Sequence, residues 1–130
     1  MSSEKKESIG KIGWIDLTVP EAVKIKEFYQ SVVGWESAPV SMGDYEDYIM
    51  NQPGTENAIA GICHKLGVNK TLPSQWLIYI TVTDVDISAE KCTAQGGKIL
   101  LEPKNMGSHG RFCIIQDPAG AVAALFAPAK

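Results

Sequence analysis

Arginine is almost missing from this chain: Arg111 is the only one among 12 basic residues, and the others are lysines. Histidine is as scarce, with His64 and His109 alone, and neither stands in an H-x-H or H-E-x-x-H spacing. The three cysteines, Cys63, Cys92 and Cys113, are too few and too odd in number for a disulfide framework, and none forms a C-x-x-C pair. They are expected to be reduced thiols in a cytoplasmic protein. No apolar run approaches the roughly 18 residues of a membrane span. The opening MSSEKKES lacks an apolar core, which argues against a signal peptide. Basic charge is also in deficit, 12 against 15 acidic residues for a net −3, so no field exists to hold nucleic acid or an anionic membrane. Gly107-Ser108-His109-Gly110 has neither the spacing of a phosphate loop nor that of a nucleophile elbow, and is expected to be a flexible loop.

What is present is an ordinary folded composition, 45% hydrophobic and 21% charged over 130 residues, enough for one domain. Residues 1–8 are charged and small and are expected to be a disordered tail. Ile12–Val19 alternates as a strand, with Ile15, Leu17 and Val19 on one face and Trp14, Asp16 and Thr18 on the other. Pro20 is placed in the first turn of a helix. Ile25, Phe28, Tyr29 and Val32 follow at i, i+3, i+4 and i+7 as its apolar face, and Gly34 stops it. Three short strands follow, over residues 35–40, 45–51 and 57–65. The second half repeats the order: a strand over 75–82, a helix over 84–95 ended by Gly96-Gly97, then strands over 98–102, 111–117 and 122–127. Thr18-Val19 recurs as Thr81-Val82, Gly34 as Gly97, and Asn57-Ala58-Ile59-Ala60 as Gly120-Ala121-Val122-Ala123, each at one offset (81 − 18 = 63). The chain therefore reads as two β-α-β-β-β modules, over residues 9–70 and 71–130.

This repeat, Phe28-Tyr29 ahead of Val33-Gly34-Trp35, and the closing Asp117-Pro118-Ala119-Gly120 resemble the vicinal oxygen chelate superfamily. That superfamily includes glyoxalase I, extradiol dioxygenases and the bleomycin-resistance proteins. The resemblance runs from about Ile9 to Pro128. It implies an α+β fold in which two tandem β-α-β-β-β modules form an eight-stranded curved sheet, a cup that holds the ligand.

Active members of that superfamily hold a divalent ion with His, Glu or Gln side chains from the first and last strands of each module. Carried over by pattern and by the repeat offset, those positions fall here on Trp14, Gly61, Leu77 and Ala124. None offers a donor for a divalent ion. The resemblance therefore implies the fold without the metal: no cofactor and no metal ligand is expected.

The inward registers supply Trp14, Asp16, Thr18, Leu77, Tyr79, Thr81, Ile59, Cys63, Val122 and Phe126, an apolar and aromatic wall with a few polar anchors. Trp14, Asp16, Tyr79, Arg111 and Phe126 are the expected ligand-binding residues, and no catalytic residue is assigned. Arg111 has two readings: an anchor for an anionic ligand group, stacked on Trp14 or Tyr79, or an ion pair with Asp16 or Asp47. Cys92 is expected in the core, while Cys63 and Cys113 are on strands that could face the cup.

Three functions remain open. The first is a metal-independent glyoxalase-like binder of a small organic molecule. The second is a lyase, isomerase or hydrolase using Asp16, Tyr79, His109 or Arg111. The third is a regulatory or interaction domain with a vestigial cup. The expected partner is a small molecule, with a homodimer allowed.

Overall fold

Strand β1 (Ile12–Val19) shows the alternation its sequence carries, with Leu17 and Val19 buried under a helix. The computed structural model describes residues 8–129. The tail expected over residues 1–8 lies outside the described residues except for Ser8, whose carbonyl accepts the Lys11 N–H at 3.0 Å.

Residues Trp14–Trp76 form one compact unit. After β1 come helix α1 (Ala22–Val33), β2 (Glu36–Ser41), β3 (Glu46–Asn51) and β4 (Ala58–His64). The strands lie in the order β2-β3-β4-β1, with β1 parallel to β4 and the other neighbours antiparallel. Pro20 stands outside α1 rather than in its first turn: Glu21, at φ −114°, is the N-cap, and the helix begins at Ala22. Gly34 ends it as expected, in the left-handed conformation (φ 79°) that a residue with a Cβ rarely adopts. Leu17, Val19, Ala22, Tyr48, Met50 and Ile62 form the core beneath α1. An aromatic group flanks this core. Tyr29 stacks on Trp35 with centroids 5.7 Å apart, and Trp76 Nε1 donates to Tyr29 Oη at 3.1 Å.

Among the described residues, the second unit contains residues 8–13 and 77–129. It runs β5 (Trp76–Thr81), α2 (Val85–Ala94), β6 (Lys98–Asn105), β7 (Gly110–Gln116) and β8 (Val122–Pro128). Its strand order is β5-β8-β7-β6, again with one parallel pair, β5 and β8. The two parallel registers correspond: Asp16 faces Gly61 in the first unit, and Tyr79 faces Ala124 in the second. The protein is α+β: the described residues form eight strands and two α-helices, arranged as two β-α-β-β-β modules. Asp84 caps α2, its side chain accepting the N–H groups of Asp86 (2.9 Å) and Ile87 (3.1 Å). Val85 and Ala89 of α2 pack on Cys113, Leu125 and Ala127. The Asp117-Pro118-Ala119-Gly120 turn closes because Asp117 Oδ1 accepts both Ala119 N (2.8 Å) and Ala121 N (3.0 Å).

Two local expectations change. The loop before β7 is a closed turn, with Met106 N donating to the Gly110 carbonyl at 2.8 Å and His109 N to the Met106 carbonyl at 3.1 Å. The apolar face of α1 is only half used. Ile25 and Tyr29 pack on the core, whereas Phe28 and Val32 remain 53% and 62% exposed.

Candidate functional site

In the first unit, strand alternation turns Trp14, Asp16 and Thr18 away from α1, toward the face that β4 lines with Gly61 and Cys63. Trp14 Nε1 donates to Asp16 Oδ1 at 2.5 Å, a charge-assisted bond that fixes both side chains. Gly61 is what admits this arrangement. A Cβ there would fall on the Asp16 carboxylate and come within 3.5 Å of the Trp14 ring. Asp47, also buried, anchors the end of β4: its Oδ1 accepts the His64 backbone N–H at 2.8 Å and lies 3.4 Å from His64 Nδ1. The Tyr45 and His64 rings meet edge-on with centroids 5.4 Å apart. By strand alternation this face carries, among the described residues, the Trp14 indole, the Asp16 and Asp47 carboxylates and the Cys63 thiol, while the His64 ring lies on the α1 side beside Tyr48.

The Cys63 thiol is pushed up by burial first, then by the charges of Asp16 and Asp47 and by a hydrogen bond to Asp47. A raised thiol favours the protonated form, the poorer nucleophile. Cys113 does not face the ligand side. It is fully buried in the core under α2, and its thiol is pushed up to about 11, chiefly by burial. Cys92, half-buried on α2, directs its Sγ to the Lys98 carbonyl at 3.8 Å, beside Gly97, whose missing Cβ leaves it room. Native alkylation at pH 7.5, read by mass spectrometry, should leave Cys63 and Cys113 unlabelled. Both groups are raised in the folded state, so their contribution to stability is complete below the ordinary thiol value near 9 and declines as pH rises above it. Melting temperature should fall between pH 8 and 11. Rapid labelling of Cys63 in the native protein would contradict this geometry.

In the second unit, Tyr79 pairs with Ala124, which also faces Ile114, and Phe126 pairs with Phe112. Tyr79 and Phe126 thus share the face opposite α2. Leu77, Ile114 and Ala124 on that face are 1%, 0% and 0% exposed. Phe126 lies over Gly110, where a Cβ would meet the Phe126 ring and the Ala127 carbonyl.

Arg111 is elsewhere. It pairs with Ala127, one of the residues packed against α2, so its side chain leaves the sheet on the helix side. Its Nε and Nη2 clamp Asp86 at 2.8 and 3.0 Å, and Nη1 donates to Asn105 Oδ1 at 3.2 Å. The ion-pair partner is Asp86 rather than Asp16 or Asp47, and no stacking on Tyr79 follows, because adjacent strand residues point to opposite faces. The hydrogen bond from Arg111 lowers the Asp86 carboxyl, so the pair acts at neutral pH and is lost as pH falls through that depressed value. The pair is solvent-exposed, so Arg111→Lys should leave the urea midpoint nearly unchanged. A cavity of about 360 Å³ opens beside the pair, lined by Thr83, Asp84, Asn105, Gly107 and Pro128 among others.

The four positions to which the resemblance carries the metal ligands, Trp14, Gly61, Leu77 and Ala124, hold side chains that do not fit a divalent ion. Indole, hydrogen, isobutyl and methyl groups supply no oxygen or imidazole donor. Among the described residues no group of three or more His, Cys, Asp or Glu stands close enough to replace them.

Comparison with known proteins agrees with this architecture. CFP32 of Mycobacterium tuberculosis, which is named as a glyoxylase, is 30% identical over 120 residues, covering 92% of this chain and 45% of that protein. The anthracycline biosynthesis protein DnrV of Streptomyces peucetius is 23% identical over 128 residues, covering 90% of this chain and 46% of its own. The chain thus spans less than half the length of these curated relatives. The fold is shared with a variant of Streptomyces coelicolor methylmalonyl-CoA epimerase in complex with 2-nitronate-propionyl-CoA: 19% identity, TM-score 0.60, 94% of this chain and 96% of that one. The family model for the glyoxalase/bleomycin resistance protein/dioxygenase superfamily matches residues 11–125. With two β-α-β-β-β modules aligned along that match, the chain belongs to this superfamily.

Proposed function

We propose that the chain is a glyoxalase-like domain that binds a small organic molecule without a divalent metal, on the face of the first module turned away from α1. The observation that carries this reading is the Trp14–Asp16 pair over Gly61. In the active superfamily pattern Trp14 and Gly61 stand where metal ligands belong. Here an indole plane and a carboxylate fill that space, held together by a 2.5 Å hydrogen bond. Indole offers stacking area to a flat or apolar group, and a carboxylate is an acceptor suited to a hydroxyl or cationic group. The complementary ligand is an organic molecule bearing an aromatic or apolar body and a hydrogen-bond donor. Within the second module, Tyr79 and Phe126 line the face opposite α2.

Elemental analysis of the purified protein should find no stoichiometric zinc, nickel or iron, and chelators should leave its melting temperature unchanged. One such metal per chain would overturn the metal-independent reading. A thermal-shift screen against metabolites and antibiotics tests the binding half. A ligand at 100 times its dissociation constant stabilises by about 2.7 kcal/mol. Asp16→Asn and Trp14→Ala should each abolish the shift of a genuine hit, and a shift indifferent to both would place the ligand elsewhere. Turnover of the hit separates an enzyme from a binding protein.

A further inference from the structure

Charge on the strands of the first module is of one sign. Strands β1 to β4 carry Asp16, Glu36, Glu46 and Asp47 but neither lysine nor arginine. The lysines of that unit lie outside its strands, Lys24 and Lys26 on α1 and Lys65 and Lys70 after β4. By alternation Asp16 and Asp47 both point away from α1, Asp16 opposite Gly61 and Asp47 beside Cys63. Asp47 is only 9% exposed, and its Oδ1 meets the His64 N–H and ring. The Cys63 thiol feels the charge of both carboxylates, so the two act on one region of the face. Thr18 supplies a separate sign of a missing occupant. It stands opposite Cys63 and is 3% exposed, yet its hydroxyl makes no hydrogen bond among the described residues. No fully buried side-chain oxygen or nitrogen there lacks a partner, so the small exposed area of Thr18 includes its hydroxyl. A hydroxyl so nearly buried and unbonded is costly unless another group bonds it. The architecture does not require the carboxylates. At the repeat offset of 63, Asp16 becomes Tyr79 and Asp47 becomes Gly110, and the second module forms the same elements.

We propose that this face, taken as the binding face, selects an organic ammonium ion: a protonated amine carried on an aromatic or apolar body. Asp16 and Thr18 lie two residues apart on one side of β1, about 7 Å along the strand, so one ammonium group reaches both. Its N–H groups donate to the carboxylate and to the Thr18 hydroxyl, and the charge of Asp47 adds to the attraction. The Trp14 indole offers its ring face to the same cation. An anion of equal shape meets two carboxylates and no counter-charge from these strands, and a neutral alcohol offers one donor and no charge. Apolar walls with one sign of charge concentrate the opposite sign.

The test titrates the full chain at pH 7 with three probes of one shape: phenethylammonium, 2-phenylethanol and 3-phenylpropionate. Binding is read by nuclear magnetic resonance at the Trp14 indole N–H, a signal identified by its loss in Trp14→Phe. Phenethylammonium should bind about ten-fold or more tighter than the alcohol, and 3-phenylpropionate should not saturate the signal. Asp16→Asn and Asp47→Asn each keep an acceptor and remove a charge. Each should weaken the amine about ten-fold and leave the alcohol as it was. Thr18→Val should weaken the amine as well. Asp86→Asn removes a carboxylate from the helix side of the other unit and should leave the amine's affinity as in the wild type, which separates a local charge from net charge. If Asp47→Asn disturbs the fold through His64, Asp16→Asn carries the test. Amine and alcohol bound equally, both moving the Trp14 signal, would overturn the ammonium assignment and leave the binding face standing. Amine binding that ignores Asp16→Asn, or no saturable amine binding at all, overturns it too. The thermal-shift screen with Trp14→Ala decides separately whether the face binds any ligand.

Discussion

Gly61→Leu is expected to destabilise the protein by about 1–3 kcal/mol, the usual cost of forcing extra methylenes into occupied space. The space is occupied by a specific group. A Cβ at position 61 would fall on Asp16 Oδ1, which is held to Trp14 Nε1 at 2.5 Å. Asp16 must rotate away, and the indole loses its acceptor. Two readouts should therefore move together: the urea midpoint falls, and the emission of Trp14 changes, isolated by comparison with Trp14→Phe in the same background. Binding of any ligand that depends on Asp16 should be lost. An unchanged midpoint with unchanged emission would mean that the carboxylate does not sit over Gly61. Ala124→Leu, at the equivalent position of the second module, should also be costly, because Ala124 is fully buried between Tyr79 and Ile114.

Its chain neighbour is expected to show a larger effect of a different kind. Ile62 is fully buried on the opposite side of β4, among Leu17, Tyr48 and Met50 under α1. Ile62→Ala removes buried methylenes and leaves a cavity that a helix clamped by the aromatic group cannot readily collapse. The expected loss is about 2–5 kcal/mol, a large share of the roughly 5–15 kcal/mol available to a domain. The Trp14–Asp16 pair is on the other face, so ligand affinity measured under folding conditions should survive. The pair of variants thus separates face from core across one peptide bond. A midpoint shift below about 1 kcal/mol for Ile62→Ala would show a loosely packed core beneath α1.

Much of this was legible in the residues. Leu17 and Val19 alternating with Asp16 and Thr18 distinguish both faces of β1 without reference to the fold, because side chains in a strand point to alternate sides. Gly34 marked the end of α1 for a similarly local reason, since its left-handed φ is inexpensive only without a Cβ. The offset between Asp16 and Tyr79 placed two residues at corresponding strand positions, and the parallel registers Asp16–Gly61 and Tyr79–Ala124 obey it. The arginine was harder. Its rarity singled it out, but its partner Asp86 lies 25 residues away on α2. No local pattern joins a strand opening to the first turns of a helix that packs over it. Asp47 and His64 were equally hidden, because their contact depends on the antiparallel register of β3 and β4, which sets Tyr48 against Ile62.

The sequence by itself determined the order of elements and the two-module architecture. Both rest on periodicity and turn residues, which act within a few residues of chain. Tertiary structure decided which apolar residues were covered and which polar groups met. The i, i+3, i+4, i+7 pattern in α1 could not say that Phe28 and Val32 stay exposed while Ile25 and Tyr29 are packed. Alternation could not say that Cys113 and Arg111 leave β7 on the helix side while Phe112 leaves it on the other. Period identifies a face, but only the packing of distant strands and helices determines how wide that face must be and what stands opposite it.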